Sequence, residues 1–348
     1  MNIKEITKEK KIANSLVIMV MGANAEICPG FTFEDEFRIA LDTWAKDLPD
    51  NVYVVYYRGN EFMDSKFEED KEHKNVYWLS IACEDDMNYT FKKTWMAYRF
   101  VSDNLDPDWI FRTNTSTYVN VRVLNDFILK YADPEMTYGS DLYSLSEACC
   151  PYPLCIYPRG NGILTNRKIY SEAIIKNGIS FSYQTICDDI VIGDLINTYN
   201  INNHKKYGEK YFNYIKGLPH AWYKCVDKIF DNNHKFSKYG DYNLNYNDFV
   251  TITIKKYRER EKEKEHYLEL HKRIKSDHSM CIVEPVWTDE MLEYVKDPSI
   301  FIGSILGYID FEDWKKYDKN ELFYFEISHK SIDDEQHYKY KEIQGFEL

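Results

Sequence analysis

Residues 16–21 read Leu-Val-Ile-Met-Val-Met, six apolar side chains in succession. The run is far shorter than the about 20 residues a membrane helix needs. It lacks the alternation of a strand with one wet face, so it reads as a strand covered on both sides. Two runs of the same kind follow, Val52–Tyr57 (Val-Tyr-Val-Val-Tyr-Tyr) and Val76–Ile81 (Val-Tyr-Trp-Leu-Ser-Ile). Between the first two, Phe33, Phe37, Ala40, Leu41 and Trp44 recur at helical spacing, within the stretch Phe33 to Lys46. After the third, Phe91, Trp95, Tyr98, Ser102 and Leu105 mark one side of another helix. Strands alternating with helices predict an α/β fold, a mixed, mostly parallel sheet flanked by helices on both faces. Trp109–Phe111 is a short fourth strand behind the turn signal Asp106-Pro107-Asp108. Val121, Leu124, Ile128 and Tyr131 outline a helix that ends near Asp133-Pro134, as a proline requires. Thr137–Leu142 and Ile163–Thr165 read as further strands around the turn Gly160-Asn161-Gly162.

The rest of the chain is less regular. Residues 251–275 are dense in alternating charge and predict a long exposed helix with few apolar anchors. Residues 276–348 regain aromatic content (Trp287, Phe301, Trp314, Phe323, Tyr324, Phe325) and read as a small C-terminal extension on a main domain of residues 1–275. No internal repeat is visible. Residues 1–11 are charged and lack an apolar stretch of secretory-signal length, which points to a cytoplasmic protein. The eight cysteines are irregularly spaced, and only Cys149, Cys150 and Cys155 cluster, without paired Cys-x-x-Cys units for structural zinc. Net charge is −13, which opposes general polyanion binding. Yet residues 205–275 hold 17 Lys and Arg against 10 Asp and Glu, a local +7. A solvated helix face is the plain explanation, and a local anionic ligand is the alternative.

Several chemistries are excluded by missing motifs: no Walker loop, no Gly-x-Gly-x-x-Gly after the first strand, no Gly-x-Ser-x-Gly elbow and no His-Glu-x-x-His helix. Five segments instead occur in an order that resembles one family. Asp42-Thr43-Trp44 is similar to Arg-x-Thr-Trp, and Asn88-Tyr89-Thr90-Phe91-Lys92 to Asn-Leu-Thr-x-Lys. The stretch Trp109 to Leu124, with Arg112-Thr-Asn-Thr-Ser116 at its centre, resembles hydrophobic-Lys-Thr-Asp-Asp-Asp-x-Phe-Val-Asn-x-x-x-Leu. Tyr157 to Thr165 resembles Tyr-Pro…Gly-x-Gly-Tyr-Val-Leu-Ser, and Asp188-Asp189-Ile-Val-Ile-Gly193 resembles Glu/Asp-Asp-Val-x-x-Gly. These are the motifs of the fringe-like β-1,3-glycosyltransferases, glycosyltransferase family thirty-one. The resemblance spans roughly residues 15–200 and implies a GT-A nucleotide-sugar-binding fold.

The resemblance further implies transfer from a UDP-sugar to an acceptor hydroxyl, with inversion. A divalent metal, manganese or magnesium, would be held by Asp-x-Asp carboxylates and a later His, and would neutralise the departing diphosphate. The chain departs from the family at this point. Asn114, Thr115 and Ser116 stand where the family has three Asp, and neutral oxygens suit a divalent cation poorly. Three alternatives stay open: little or no dependence on metal, with a cation such as Arg112 or Lys92 in its place; a metal held by other groups; or an inactive sugar-nucleotide-binding protein. A viral transferase acting on hydroxymethylated DNA bases is a further possibility that the +7 segment admits.

Carried over by motif position, Asp189, with Asp188 beside it, is the expected catalytic base, although the pair would equally open a helix as N-cap and first-turn acid. Lys92, Arg112, Asn114, Thr115, Ser116, Gly160 and Gly162 are the expected donor-binding residues. Lys92 also reads as an ordinary exposed lysine, and the two glycines as a tight turn. His234 falls roughly where the metal-binding His would be, with His220 as a second candidate; an exposed loop His explains the first equally well. Tyr157 and Trp222 could stack on sugar or uracil, or simply fill a core. The expected acceptor is a glycan, glycoprotein or modified nucleobase, in a bacterial or viral cytosol. Sugar, linkage and oligomeric state are not readable from the sequence.

Overall fold

The computed structural model describes residues 14–86, 89–140, 142–145, 155–178, 187–205, 215–218, 220–222, 243–245, 250–254, 262–275 and 280–282. The run Leu16–Met21 is strand β1, the centre of an eight-stranded sheet. It is followed by helix α1 (Phe33–Asp42), β2 (Val52–Gly59), β3 (Lys66–Glu69), β4 (Val76–Ile81), α2 (Thr90–Leu105) and β5 (Trp109–Asn114). Then come β6 (Thr117–Val119), α3 (Val121–Lys130), β7 (Thr137–Ser140) and β8 (Ile163–Asn166). Helix α4 (Asp188–Lys205), β9 (Ile215–Leu218), β10 (His220–Trp222), β11 (Thr251–Thr253) and α5 (Glu263–Lys275) complete the part that bears on the site.

The strand order is β9-β7-β8-β5-β1-β2-β4-β3. Strands β1, β2, β4 and β5 pair in parallel, as do β7 and β9. Only β8 and the edge strand β3 run the other way. This is the mixed, mostly parallel sheet that the apolar runs predict. Register places Met21 beside Tyr57 on one side and Asn114 on the other, so β1 and β5 end together while β2 runs on to Gly59. In open α/β sheets such carboxyl ends are where ligands bind.

Alternate residues of each strand serve opposite faces. Leu16, Ile18, Val20, Val54, Tyr56 and Phe111 pack under α1, α3 and α5, through Phe37, Leu124, Phe127, Tyr267 and Leu270. Val17, Met19, Val55, Tyr57 and Ile110 pack under α2 and α4, through Phe91, Tyr98, Val101, Ile192 and Leu195. Local signals set the helix ends: Thr32 and Asp35 close a capping box on α1, and α2 stops at Asp106, which adopts a left-handed φ of 43°.

The expected helix over 251–275 is corrected. Thr251–Thr253 form β11, which pairs with β10 and with β6, while α5 begins only at Glu263. A Thr-Ile-Thr run is β-branched, and its partner strands lie far away in sequence, beyond the reach of a local charge pattern. Nor is α5 poorly anchored, since Tyr267 and Leu270 are fully buried. The predicted strand Thr137–Leu142 also divides: β7 ends at Ser140, and Leu142–Leu145 pairs with Cys155–Pro158 in a separate hairpin. Of the expected extension, only Met280–Ile282 is described, paired with Asn243–Asn245. Asn88, Cys149, Cys150 and His234 lie outside the described residues.

Candidate active site

Strand β5 delivers the central residues. Its alternation turns Arg112 and Asn114 to the face covered by α2 and α4, where the first turn of α4 presents Asp188 and Asp189. Arg112 is 1% exposed. Its Nη2 is 2.7 Å from Asp188 Oδ2, and its Nη1 donates to the Gly160 carbonyl at 2.8 Å. Thr94 of α2 donates to the same Asp188 oxygen at 2.8 Å and meets the Tyr57 hydroxyl at 3.0 Å. Burial works against the guanidinium charge, but Asp188 overcomes this and holds Arg112 above its ordinary range. A guanidinium placed this way has its charge matched inside the protein. Two of its nitrogens are thus engaged by Asp188 and Gly160 within the protein.

Asp189 is less enclosed than its neighbour. Its Oδ2 accepts the Gly160 N–H at 3.1 Å, and its Oδ1 accepts the N–H of Ile190 at 2.9 Å. Burial, and then the charge of Asp188, push its carboxyl up to about 6, while Arg112, Arg159 and the Gly160 N–H pull the other way. One acid of the pair is thus bound into an ion pair, and the other is left poised near neutrality. The helix-start explanation holds as well, since both acids sit in the first turn of α4.

The turn at 159–162 closes by a Gly162 N–H to Arg159 carbonyl bond of 3.2 Å. Its glycines answer a need for space, not for positive φ, which among the described glycines is found only at Gly30. A Cβ on Gly160 would collide with Arg112 Nη1 and lie 2.8 Å from Asn114 Nδ2; one on Gly162 would lie 2.5 Å from Phe111. Thr113 Oγ1 donates to the Asn161 carbonyl at 2.8 Å, fixing the turn to β5. Asn114 therefore stands at the end of β5, against Gly160, with its Oδ1 unsatisfied.

Thr115 and Ser116 are buried, at 2% and 5% exposure. Their backbone is held from above. The Tyr267 hydroxyl of α5 lies 3.0 Å from the Thr115 carbonyl and 2.8 Å from that of Thr117, and the Ile254 N–H donates to the Ser116 carbonyl. Of the expected trio only Asn114 is partly exposed. The trio does not fit a divalent metal: its oxygens are neutral, two of its side chains are enclosed, and among the described residues no group of three His, Cys, Asp or Glu could hold a metal ion.

Lys92 is exposed, with its ammonium 5.8 Å from the Tyr89 ring centroid. The lysine turned toward the strand ends is Lys93, 3% exposed, which pairs with Asp85 and donates to the Gly22 carbonyl at 2.8 Å. Helical arithmetic could have found this: Lys92 shares a face with Arg99 and Asp103, Lys93 with Ala97 and Val101. His220 is buried at the turn, its Nδ1 2.9 Å from Thr251 Oγ1 and its Nε2 3.5 Å from Asn161 Nδ2. Thr251 in turn donates to Ser140 at 2.7 Å. Nothing in the spacing marks Ser140, Thr251, Thr94 or Tyr267 in advance, because each meets the site from a distant element. Tyr157 is buried, and Trp222 lies on β10.

No protein-family model matches the sequence, and no curated protein is significantly similar to it. Among solved structures, the chain is similar to the glycosyltransferase GlyE of Streptococcus pneumoniae TIGR4, with 10% identity and a TM-score of 0.36 over 79% of this chain and 67% of that one. A glycosyltransferase involved in glycosylation of the major capsid of PBCV-1 matches at 10% identity and a TM-score of 0.34, over 73% of this chain and 99% of that one. The galactosyltransferase LgtC, solved with donor and acceptor sugar analogues, matches at 8% identity and a TM-score of 0.40, over 81% of this chain and all of that one. Likenesses at this level concern general architecture only. Among the described residues, no helix is long and apolar enough to cross a membrane.

Proposed function

We propose that the chain is a glycosyltransferase that moves a sugar from a UDP-sugar to an acceptor hydroxyl with inversion, and that Asp189 is its general base. The observation that carries this is the placement of Asp189: at the carboxyl ends of β1 and β5, its Oδ2 takes the Gly160 N–H at 3.1 Å beside the Arg112–Asp188 pair, and burial there pushes its carboxyl up to about 6. A sugar hydroxyl is a weak nucleophile near neutral pH, so its proton must leave as the new bond forms. A carboxylate with a pKa near 6 is mostly ionised at neutral pH and is a better base than an ordinary one. The acceptor oxygen attacks the anomeric carbon, its proton passes to Asp189, and the nucleoside diphosphate leaves from the opposite side.

The motif order supports a UDP-sugar donor lying near Asn114 to Thr117. The neutral Asn114-Thr115-Ser116 trio supports activity with little or no dependence on a divalent metal. UDP release from a set of UDP-sugars, by hydrolysis or transfer, tests the reading. Asp189→Asn should lose about 10²–10⁴-fold in turnover with donor affinity nearly intact. Asparagine caps a helix about as well as aspartate, so a merely structural role predicts near-normal turnover. The same neutral trio favours a second reading, a binding protein without catalysis; a wild-type chain that binds UDP-sugars but releases no UDP would establish it.

A further inference from the structure

We infer that Arg112 is a positioning residue for Asp189, acting through Asp188 and Gly160, and does not touch the donor; the inference rests on Asp189 being the base. Two routes lead from the guanidinium to that carboxylate. One runs through Asp188, whose Oδ2 is 2.7 Å from Arg112 Nη2 and whose backbone continues directly into Asp189. The other runs through Gly160, whose carbonyl takes Arg112 Nη1 at 2.8 Å and whose N–H donates to Asp189 Oδ2 at 3.1 Å. Both backbone groups of one glycine are therefore engaged, and the glycine has no room for a side chain on the Arg112 side. A guanidinium is a rigid fork that serves two acceptors at fixed spacing, whereas an ammonium is a point charge. Arg112 is 1% exposed and lies behind Asn114 on its strand, its Nη2 also 3.1 Å from Met21 Sδ at the end of β1.

The charges facing Asp189 are Asp188 beside it, Arg112 from β5 and Arg159 from the turn, with the Cys187 thiol two residues before it. Removing the Arg112 charge leaves Asp188 unopposed, which favours the protonated form of Asp189.

The test uses the full chain in four forms: wild type, Arg112→Lys, Arg112→Met, and Arg112→Met with Asp188→Asn. Asp189 ionisation is followed by carboxyl carbon NMR, its resonance assigned by its disappearance in Asp189→Asn, so the readout does not depend on turnover. UDP affinity is measured by calorimetry, and UDP release from UDP-sugars gives kcat. In Arg112→Met the Asp189 midpoint should rise by about one pH unit or more, and it should return toward wild type when Asp188→Asn is added. Arg112→Lys, which keeps the charge in place should Arg112→Met fail to fold, should lower kcat by about tenfold or more while UDP affinity stays within about threefold. An unmoved midpoint, or a tenfold loss of UDP affinity in Arg112→Lys with kcat preserved, overturns the inference. If the midpoint moves as stated but Asp189→Asn still turns over, the base assignment fails while the positioning stands.

Discussion

At neutral pH the Asp189 carboxylate is ionised where burial, and then the Asp188 charge, favour the neutral form and push it up to about 6 from the ordinary 3.8. The folded chain therefore holds this proton more tightly than the unfolded chain. Stability linked to the protonated form is complete below about pH 4 and is lost as pH rises through about 6. Asn resembles the protonated acid, so Asp189→Asn should be more stable than wild type at about pH 8, by about 1–3 kcal/mol in denaturant unfolding, and the gap should close near pH 4. A gap that does not change with pH would show that the carboxylate is not perturbed by folding. The two lysines of α2 show the limit of sequence at this scale. Motif position picks out Lys92, whereas helix geometry buries Lys93 against Asp85 and Gly22.

Helix α5 shows how an element of unpromising composition acquires a task. Its charges are solvated, yet Tyr267 reaches under the end of α1, accepts a hydrogen bond from Trp44 Nε1 at 3.2 Å, and bridges the carbonyls of Thr115 and Thr117. The two carbonyls flank the turn that leads from β5 into β6, Thr115 within it and Thr117 at the start of β6, and this turn is expected to meet the donor. Removing the hydroxyl takes the acceptor from a buried indole N–H and the one O–H proton that the two carbonyls share, and a buried polar group left without a partner costs free energy. Tyr267→Phe should therefore lose about 1–3 kcal/mol in urea unfolding and weaken UDP binding. Leu268→Ala, on the exposed side of the same helix, should change neither much. Equal effects of the two substitutions would mean that α5 matters only as bulk cover.

For the whole molecule the direction of the sheet matters most. Strands β1 and β5 end in register at Met21 and Asn114, with β2 running two residues past Tyr57, and the first turn of α4 comes to the same edge through the Arg112–Asp188 pair. A ligand bound at this edge touches several elements that separate on unfolding, so it stabilises by mass action, about 2.7 kcal/mol at a hundredfold excess over Kd. UDP or a UDP-sugar at millimolar concentration should raise the melting temperature, and EDTA should remove little of that rise. No shift from any nucleotide-sugar would count heavily against the proposed donor. A shift abolished by EDTA and restored by manganese would show that anionic ligands outside the described residues complete a metal site.

The amino-acid sequence by itself pointed to the sheet: short apolar runs at 16–21, 52–57 and 76–81, rich in β-branched and aromatic residues, read as strands, and the amphipathic stretches between them supply the cover. Asn114, Gly160 and Asp189, singled out by motif order, meet in space. Tertiary structure alone decided which polar groups face inward and which charges cancel. Arg112 and Asp188 are 76 positions apart, and Thr115 and Tyr267 are 152 apart. No local pattern encodes a pairing across such distances, since it arises only when strand order and helix packing bring the two ends together. The state of Asp189 follows in part from that pairing: Asp188 is its neighbour in sequence, but its burial and the charges of Arg112 on β5 and Arg159 in the turn reach it only through the fold.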